Sequence, residues 1–474
     1  MENILDYDAS TLAQKIRIRE ITSLEATQTY IEHLNRINPS INCLVEDRFQ
    51  AAIEEARRCD EQIESGNAKG KLFGVPISMK EAFDVQGMRT TGGLVSRKTH
   101  VATSDAVIVH KLKKEGAIIL GKSNTPSLCF CQETDNKLYG RTNNPWDLNR
   151  TAGGSSGGEG ALIAVGGASV GVGSDIGGSI RFPAHFNGVV GFRSGNKQVS
   201  QKGHFPYADH PFQEVMQGIG ALAKSVDDAE LIHRIISQQV GQKVDVTQFH
   251  LVIPDVHHDY PMTQETASTV NLVRNYFINQ EKHSVEVTYP TFFTQLSLMW
   301  QLIMSIDGGE SIRQVIEHHP LGVLKEFVKE RVTKKSAMHS YLSWALIGAR
   351  LFKPSKRKRE RLRSDLEKAQ EELQSYLHHK VLILPVYHST ALPHGKLYNE
   401  IFSIRKTFKD YMPYVSFANV LGLPALVVPI GEDRNGLPIS VQLISLVGNE
   451  EALFYFGRKL ESSFRGYVRC DLHD

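Results

Sequence analysis

Two runs, Gly153-Gly154-Ser155-Ser156-Gly157-Gly158 and Asp175-Ile176-Gly177-Gly178-Ser179-Ile180-Arg181, set Ser155 and Ser179 among glycines in one segment. Glycine beside serine lets the backbone fold sharply, exposes the hydroxyl and leaves N–H groups free to face an oxyanion. Lys80 closes the run Gly74-Val75-Pro76-Ile77-Ser78-Met79-Lys80 and is a third reactive candidate. A lysine becomes a base for such a serine when desolvation lowers its pKa. The chemistry within reach is acyl transfer by two serines and a lysine, without histidine.

Other motifs compete for the same residues. Gly154-Ser155-Ser156-Gly157-Gly158 also fits G-x-S-x-G, the nucleophile elbow, which would make Ser156 the nucleophile and require a downstream acid and histidine. His388 and His394 are the nearest fit for that histidine, but nothing around them marks either as catalytic. Gly171-Val172-Gly173-Ser174-Asp175-Ile176-Gly177 resembles a dinucleotide loop, yet its glycine spacing is wrong and no ribose-binding acid follows. The pairs His257-His258, His318-His319 and His378-His379 are adjacent residues whose side chains diverge on a helix or strand, which makes them poor chelators.

The chain resembles the amidase signature family. The matching run begins at Asn144-Pro145-Trp146-Asp147-Leu148-Asn149-Arg150-Thr151-Ala152, continues through both glycine-serine motifs, and closes with Phe186-Asn187-Gly188-Val189-Val190-Gly191. Weaker similarity reaches Gly74–Lys80 upstream, and Leu423-Pro424-Ala425 and Gly436-Leu437-Pro438-Ile439-Ser440-Val441-Gln442 downstream, so it covers nearly the whole chain. Within the family, the carboxy-terminal third is most similar to the fatty acid amide hydrolase branch. The resemblance implies Lys80 as base, Ser155 as a bridging serine held by a cis peptide, and Ser179 as the acyl-forming nucleophile. It implies the N–H groups of Ile176, Gly177, Gly178 and Ser179 as an oxyanion hole, with Asp175 and Arg181 bracing the loop. It further implies a small-molecule amide substrate, hydrophobic or fatty in its acyl part, with no cofactor and no metal. Two alternatives go with it: the amidase component of an amidotransferase that works on misacylated tRNA, and a non-catalytic, membrane-associated scaffold of the same fold. The chain departs from the family pattern at Phe192-Arg193-Ser194-Gly195, where a Lys-Pro-Thr-like run is usual, and at Ala221, where proline is common. Both departures bear on loop conformation and substrate fit.

Composition sets the outer bounds. At 474 residues, 41% hydrophobic and 22% charged, the chain is an ordinary globular protein with a large core. A net charge of +2 argues against a nucleic-acid partner. Five irregularly spaced cysteines form no disulfide framework, and Cys129-Phe130-Cys131 is too tight for a redox pair, so reduced packing cysteines are expected. MENILDYDAS lacks a signal peptide's basic and apolar regions, and no run of about 18 apolar residues occurs. A cytoplasmic location is expected, with peripheral membrane contact as its one extension; oligomeric state is left open.

Elements must deliver the reactive groups. Residues from about Ser23 to Glu64 read as helical, Leu72–Ser78 as a strand ending at Lys80, and Asp105–Glu115 then Gly116–Gly121 as a helix and a buried strand. Gly158–Ala164 should open a helix and Ala168–Gly173 form a buried strand, with further strands at His250–Pro254, Val381–Pro385, Ala425–Pro429 and Ser440–Ile444. Alternating strands and helices predict a layered α/β/α fold on a large mixed central sheet, as one amidase-type domain over residues 1–474. Residues about 291–380 read as a helix-rich insertion that shapes substrate access. Within it, the apolar run Tyr341–Phe352 precedes the basic run Lys353–Arg363. The ordinary reading is a core helix followed by a solvated face. The functional one is a monotopic patch over about 341–363 that meets anionic headgroups.

Overall fold

The computed structural model describes residues 3–238, 243–255, 259–316, 320–401 and 406–474. His257-His258 and His318-His319 therefore lie outside the described residues.

The strands of the main sheet are β1 (Leu44–Asp47), β2 (Pro76–Lys80), β3 (Ile118–Ser123), β6 (Val170–Asp175), β7 (Val190–Arg193), β8 (Gly218–Ala223), β9 (His250–Val252), β10 (Val285–Glu286), β11 (Lys380–Pro385), β12 (Ala425–Glu432) and β13 (Pro438–Ile444). They form one 11-stranded mixed sheet in the order β1-β3-β2-β6-β8-β7-β12-β13-β11-β9-β10. A hairpin of β4 (Asn143–Asn144) and β5 (Asp147–Thr151) stands apart and leads into the glycine-serine segment. Every residue of β2, β3, β6, β7, β8 and β13 is buried. A strand buried along its whole length is covered on both faces, so helices sandwich the centre of the sheet.

The parallel neighbours β2 and β6 end side by side, with Met79 opposite Val172. That register places Lys80, the last residue of β2, next to Ser174 and Asp175 at the end of β6. The helix Gly157–Ala164 packs on these strands, and its glycine-rich start allows the approach. Glycines on β6 are required there too. A Cβ at Gly171 would stand 1.9 Å from the Glu159 carboxyl, and one at Gly173 would stand 2.7 Å from Ser156 Oγ.

The stretch read as helical from Ser23 to Glu64 is two helices, Ser23–Ile41 and Phe49–Glu64, with β1 between them. Asn42 stops the first helix in the left-handed conformation (φ 55°), and the Asn38 side chain accepts from the N–H groups of Cys43 and Leu44. Those bonds turn the chain out so that β1 pairs antiparallel with β3. The cap at the other end is Thr22, whose hydroxyl accepts from Glu25 N–H, one residue before the expected start.

Between β10 and β11 the chain forms the helices Phe293–Met304, Glu310–Val315, Pro320–Thr333, Ser340–Leu351 and Lys356–Tyr376. They build a second apolar cluster in which Ile316, Val323, Leu342 and Leu346 pack on Leu94 and Leu128. Leu342, Ala345, Leu346 and Ala349 face inward, while Leu351 is exposed. The basic helix after it buries Leu362, Leu366, Ala369 and Leu373 and turns its cations to solvent. No helix among the described residues is long and apolar enough to cross a membrane.

Candidate active site

Lys80 is fully buried, and its Nζ lies 2.7 Å from Ser155 Oγ and 3.0 Å from Ser174 Oγ. Burial pulls its pKa below the ordinary 10.5, with Cys129, Asp175 and Glu159 pulling the other way. Desolvation penalises the ammonium, which is how a lysine becomes a base. Beneath it, Glu159 accepts a 2.5 Å bond from Ser78 on β2 and ties the helix after the serine loop to the strand that carries Lys80. Burial pushes the Glu159 carboxyl up to about 7.

Ser155 and Ser179 line one pocket with Ser174, Ile176 and His204. The Gly154–Ser155 peptide is cis. Ser156 N–H donates to Ser179 O at 3.0 Å and joins the two serine loops, while Thr125 Oγ1, just past β3, donates to Ser155 O at 2.9 Å. Ser156 Oγ turns towards β6, donating to Ser174 O at 3.4 Å. His388 bonds Glu400 and His394 bonds Leu148 O, so neither histidine of the elbow reading is bonded to Ser156.

Of the four N–H groups expected to form an oxyanion hole, one is engaged within the protein. Gly178 N–H donates to Asp175 Oδ1 at 2.9 Å, so it is not free for a substrate oxygen. The ionised Asp175 carboxylate, three residues away, is a strong acceptor within reach of that donor. The N–H groups of Ile176, Gly177 and Ser179 make no hydrogen bond among the described residues. Two side chains hold the loop's carbonyls: Trp300 Nε1 donates to Ile176 O at 2.9 Å, and Gln132 Nε2 donates to Gly177 O at 3.1 Å. In a trans peptide the N–H points opposite the carbonyl. Trp300 therefore aims Gly177 N–H away from itself, and Gln132 aims Gly178 N–H towards Asp175. A Cβ at Gly177 would stand 2.7 Å from the Trp300 ring, so only glycine admits this clamp.

Asp175 and Arg181 are both fully buried, and Arg181 Nε and Nη2 donate to the two Asp175 oxygens at 3.1 and 3.2 Å. Asn419 Nδ2 donates to Asp175 Oδ1 at 2.8 Å, and Gln442 Oε1 accepts from Arg181 Nη1 at 3.0 Å. Arg193, from the run that departs from the family pattern, is a second buried cation 3.8 Å from Asp175. Its guanidinium donates to Ala418 O, Leu423 O and Met216 O. Ala221, the other departure, is a buried ladder residue of β8 opposite Val172.

Composition and local pattern carry no signal for Trp300, Gln132, Arg193, Asn419 or His204. Each reaches the site through tertiary contact. Ser174 stands inside the motif as a neighbour of Asp175, but its contact with Lys80 depends on the β2–β6 register.

Burial opposes the Asp175 charge, but Arg181 and Arg193 outweigh it and hold the carboxyl well below its ordinary 3.8. A folded-state pKa below the unfolded value gives stability that is present above about pH 3.8 and lost as pH falls further. Asp175→Asn should cost about 3–5 kcal/mol at pH 7, because it leaves two buried cations unpaired. Urea unfolding should show that gap narrowing below about pH 3.8; a gap constant with pH would mean that Asp175 is not ionised in the fold.

Comparison with known proteins identifies the family. The Amidase family model matches residues 25–454. Fatty-acid amide hydrolase 2-B of Danio rerio is 32% identical, over 98% of this chain and 91% of its own. A glutamyl-tRNA(Gln) amidotransferase component from Fusobacterium nucleatum subsp. nucleatum is 28% identical over 97% of both chains. A solved fatty acid amide hydrolase superposes with a TM-score of 0.80 at 21% identity, over 98% of this chain and 86% of its own, and shares the fold. With residues 25–454 matched, the chain belongs to the amidase signature family and is an amide hydrolase.

Proposed function

We propose that the protein hydrolyses amides of hydrophobic acids through an acyl-enzyme on Ser179. Neutral Lys80 takes the Ser155 proton as Ser155 takes the proton of Ser179, whose oxygen attacks the amide carbonyl. The oxyanion forms against the N–H groups of Ile176, Gly177 and Ser179. The proton returns through Ser155 to the leaving nitrogen as the carbon–nitrogen bond breaks, and water then hydrolyses the ester by the same relay. A buried amine 2.7 Å from Ser155, in a pocket that also holds Ser179 and three unengaged N–H groups, carries this reading.

The acyl preference rests on a neighbouring apolar chamber lined by Trp300, Trp344, Phe352, Ile401 and Phe408. It shares Phe130, Met304 and Ala349 with the serine pocket, so an acyl chain can run from one space into the other. The insertion helices form its wall. The amidotransferase reading fits less well. Among the described residues, Asp209 and Asp307 are the charged groups lining the serine pocket, and no lysine or arginine lines it to hold the carboxylate of a free amino-acid amide.

The proposal includes peripheral contact with an anionic membrane near residues 341–363. Leu351 is exposed there beside the basic helix Lys356–Tyr376. Leu324, Val328 and Val332 repeat every four residues on the helix Pro320–Thr333, and all are exposed.

A fluorophosphonate should label Ser179, and Ser179→Ala should abolish labelling and lower kcat about 1,000-fold or more; an unlabelled, folded wild type would point to a scaffold. Because the neutral amine is the base, the labelling rate should rise with pH. Burial sets that rise below the ordinary lysine value of 10.5, and Lys80→Ala should remove it.

Gly348 lines the chamber with nothing within 4 Å of the position its Cβ would take, so Gly348→Leu adds bulk without a clash. It should lower kcat/KM for long-chain amides about 10-fold or more and spare short ones. Equal loss for both would remove the chamber from the acyl path. Sedimentation with phosphatidylserine-containing vesicles should carry the protein down, and charge reversal at Lys356, Arg357, Lys358 and Arg359 should release it. Equal recovery with neutral vesicles would contradict the electrostatic contact.

A further inference from the structure

His204 is buried at the inner end of the serine pocket, 2.9 Å by Nε2 from Ser174 Oγ and 2.8 Å by Nδ1 from Pro206 O. Its backbone bridges to Phe83, three residues past Lys80, and the Phe83 ring meets the imidazole edge-on at 5.0 Å. The ring is thus held over the end of β2 with both nitrogens engaged.

Hydrogen-bond direction follows from these partners. A carbonyl oxygen only accepts, so Nδ1 carries the proton that goes to Pro206 O. Burial alone, the larger cause, pulls the histidine below its ordinary 6.5, so it is neutral and its Nε2 is bare. A bare nitrogen can only accept, and Ser174 must therefore donate its hydroxyl proton to His204. With that proton committed, Ser174 can only accept from Lys80, over the 3.0 Å contact.

The consequence falls on the base. A neutral amine has two N–H bonds and one lone pair. Around Lys80 Nζ stand Ser155, Ser174 and the Cys129 thiol. If Ser174 accepts one N–H and the sulfur the other, the lone pair is left for Ser155. If Ser174 donated instead, its proton would occupy that lone pair and Ser155 would have no base.

We infer that His204 is a positioning residue for the reaction: by accepting from Ser174 it fixes that hydroxyl's direction and keeps the Lys80 lone pair aimed at Ser155. The inference rests on the proposed roles of Lys80 and Ser155, and it adds a residue that contributes no proton to the relay.

A double-mutant cycle on amide hydrolysis tests it. His204→Leu removes the acceptor and should lower kcat about 10- to 100-fold, with KM within about twofold. His204→Gln can present a carbonyl oxygen to Ser174 and should recover most of the loss. In a Ser174→Ala background, where no hydroxyl needs directing, His204→Leu should change kcat less than about twofold. If His204→Leu fails to fold, His204→Met replaces it in the same cycle. Losses that multiply across the cycle, a change confined to KM, or a Gln variant no better than Leu would each overturn the inference. An active wild type with multiplying losses overturns this inference alone. A wild type that neither hydrolyses amides nor takes a fluorophosphonate overturns the proposed function, and this inference with it.

Discussion

An ionised carboxylate inside a protein core is tolerable only if every lone pair has a partner, and Asp175 is such a group. It sits where β6 ends, accepts from the N–H groups of Gly178 and Ile180, and is flanked by two buried guanidiniums. Removing it from water costs several kcal/mol that only this geometry can offset. The loop that carries Ser179 is therefore not free to choose its path. It must curl so that two of its donors reach the carboxylate, and that curl leaves Ile176, Gly177 and Ser179 N–H pointing elsewhere. The partners Asn419 and Gln442 come from the carboxy-terminal third of the chain, so the last strands and the serine loop can settle only together.

Lys80 poses the opposite problem. Its amine stands between hydroxyls and a thiol, with no ion pair to it among the described residues. Asp175 and Glu159 raise its proton affinity from a distance, while burial lowers it. Asp175 and Lys80 are thus neighbours near the ends of parallel strands in opposite situations: the surroundings of the first favour its charge, and burial disfavours the charge of the second. Arginine suits the first role because its guanidinium stays protonated and donates bidentately, and lysine suits the second because its pKa yields to desolvation.

Much of this is legible in the chain because chemistry and backbone demand coincide there. The runs around Ser155 and Ser179 declare themselves by glycine, and the ends of β2 and β6 follow from short apolar runs. β8 escapes a reading by pattern because Gly218-Ile219-Gly220-Ala221-Leu222-Ala223 has little β-branched character, yet it is a central strand. Its small residues let strands approach: a Cβ at Gly220 would stand 1.9 Å from Phe192 O on β7. β1 hides inside a helical pattern, because the signal that ends the helix is the side chain of Asn38 rather than a proline or glycine. The motif gives the oxyanion loop one donor too many, since local sequence shows which N–H groups exist but not which are already taken.

Trp300 shows why a site cannot be read from its motif alone. It lies 124 residues from Ile176, on the helix Phe293–Met304 at the start of the helix-rich stretch, and its indole N–H fixes a carbonyl of the oxyanion loop. Its ring also lines the apolar chamber. One side chain therefore faces both the polar loop, where charge would develop, and the apolar space, where an acyl chain would lie. Any movement of that helix that widens the chamber must also loosen the Ile176 carbonyl and let Gly177 N–H swing. Through that one hydrogen bond, the helix that lines the chamber also holds the backbone of the loop that carries Ser179.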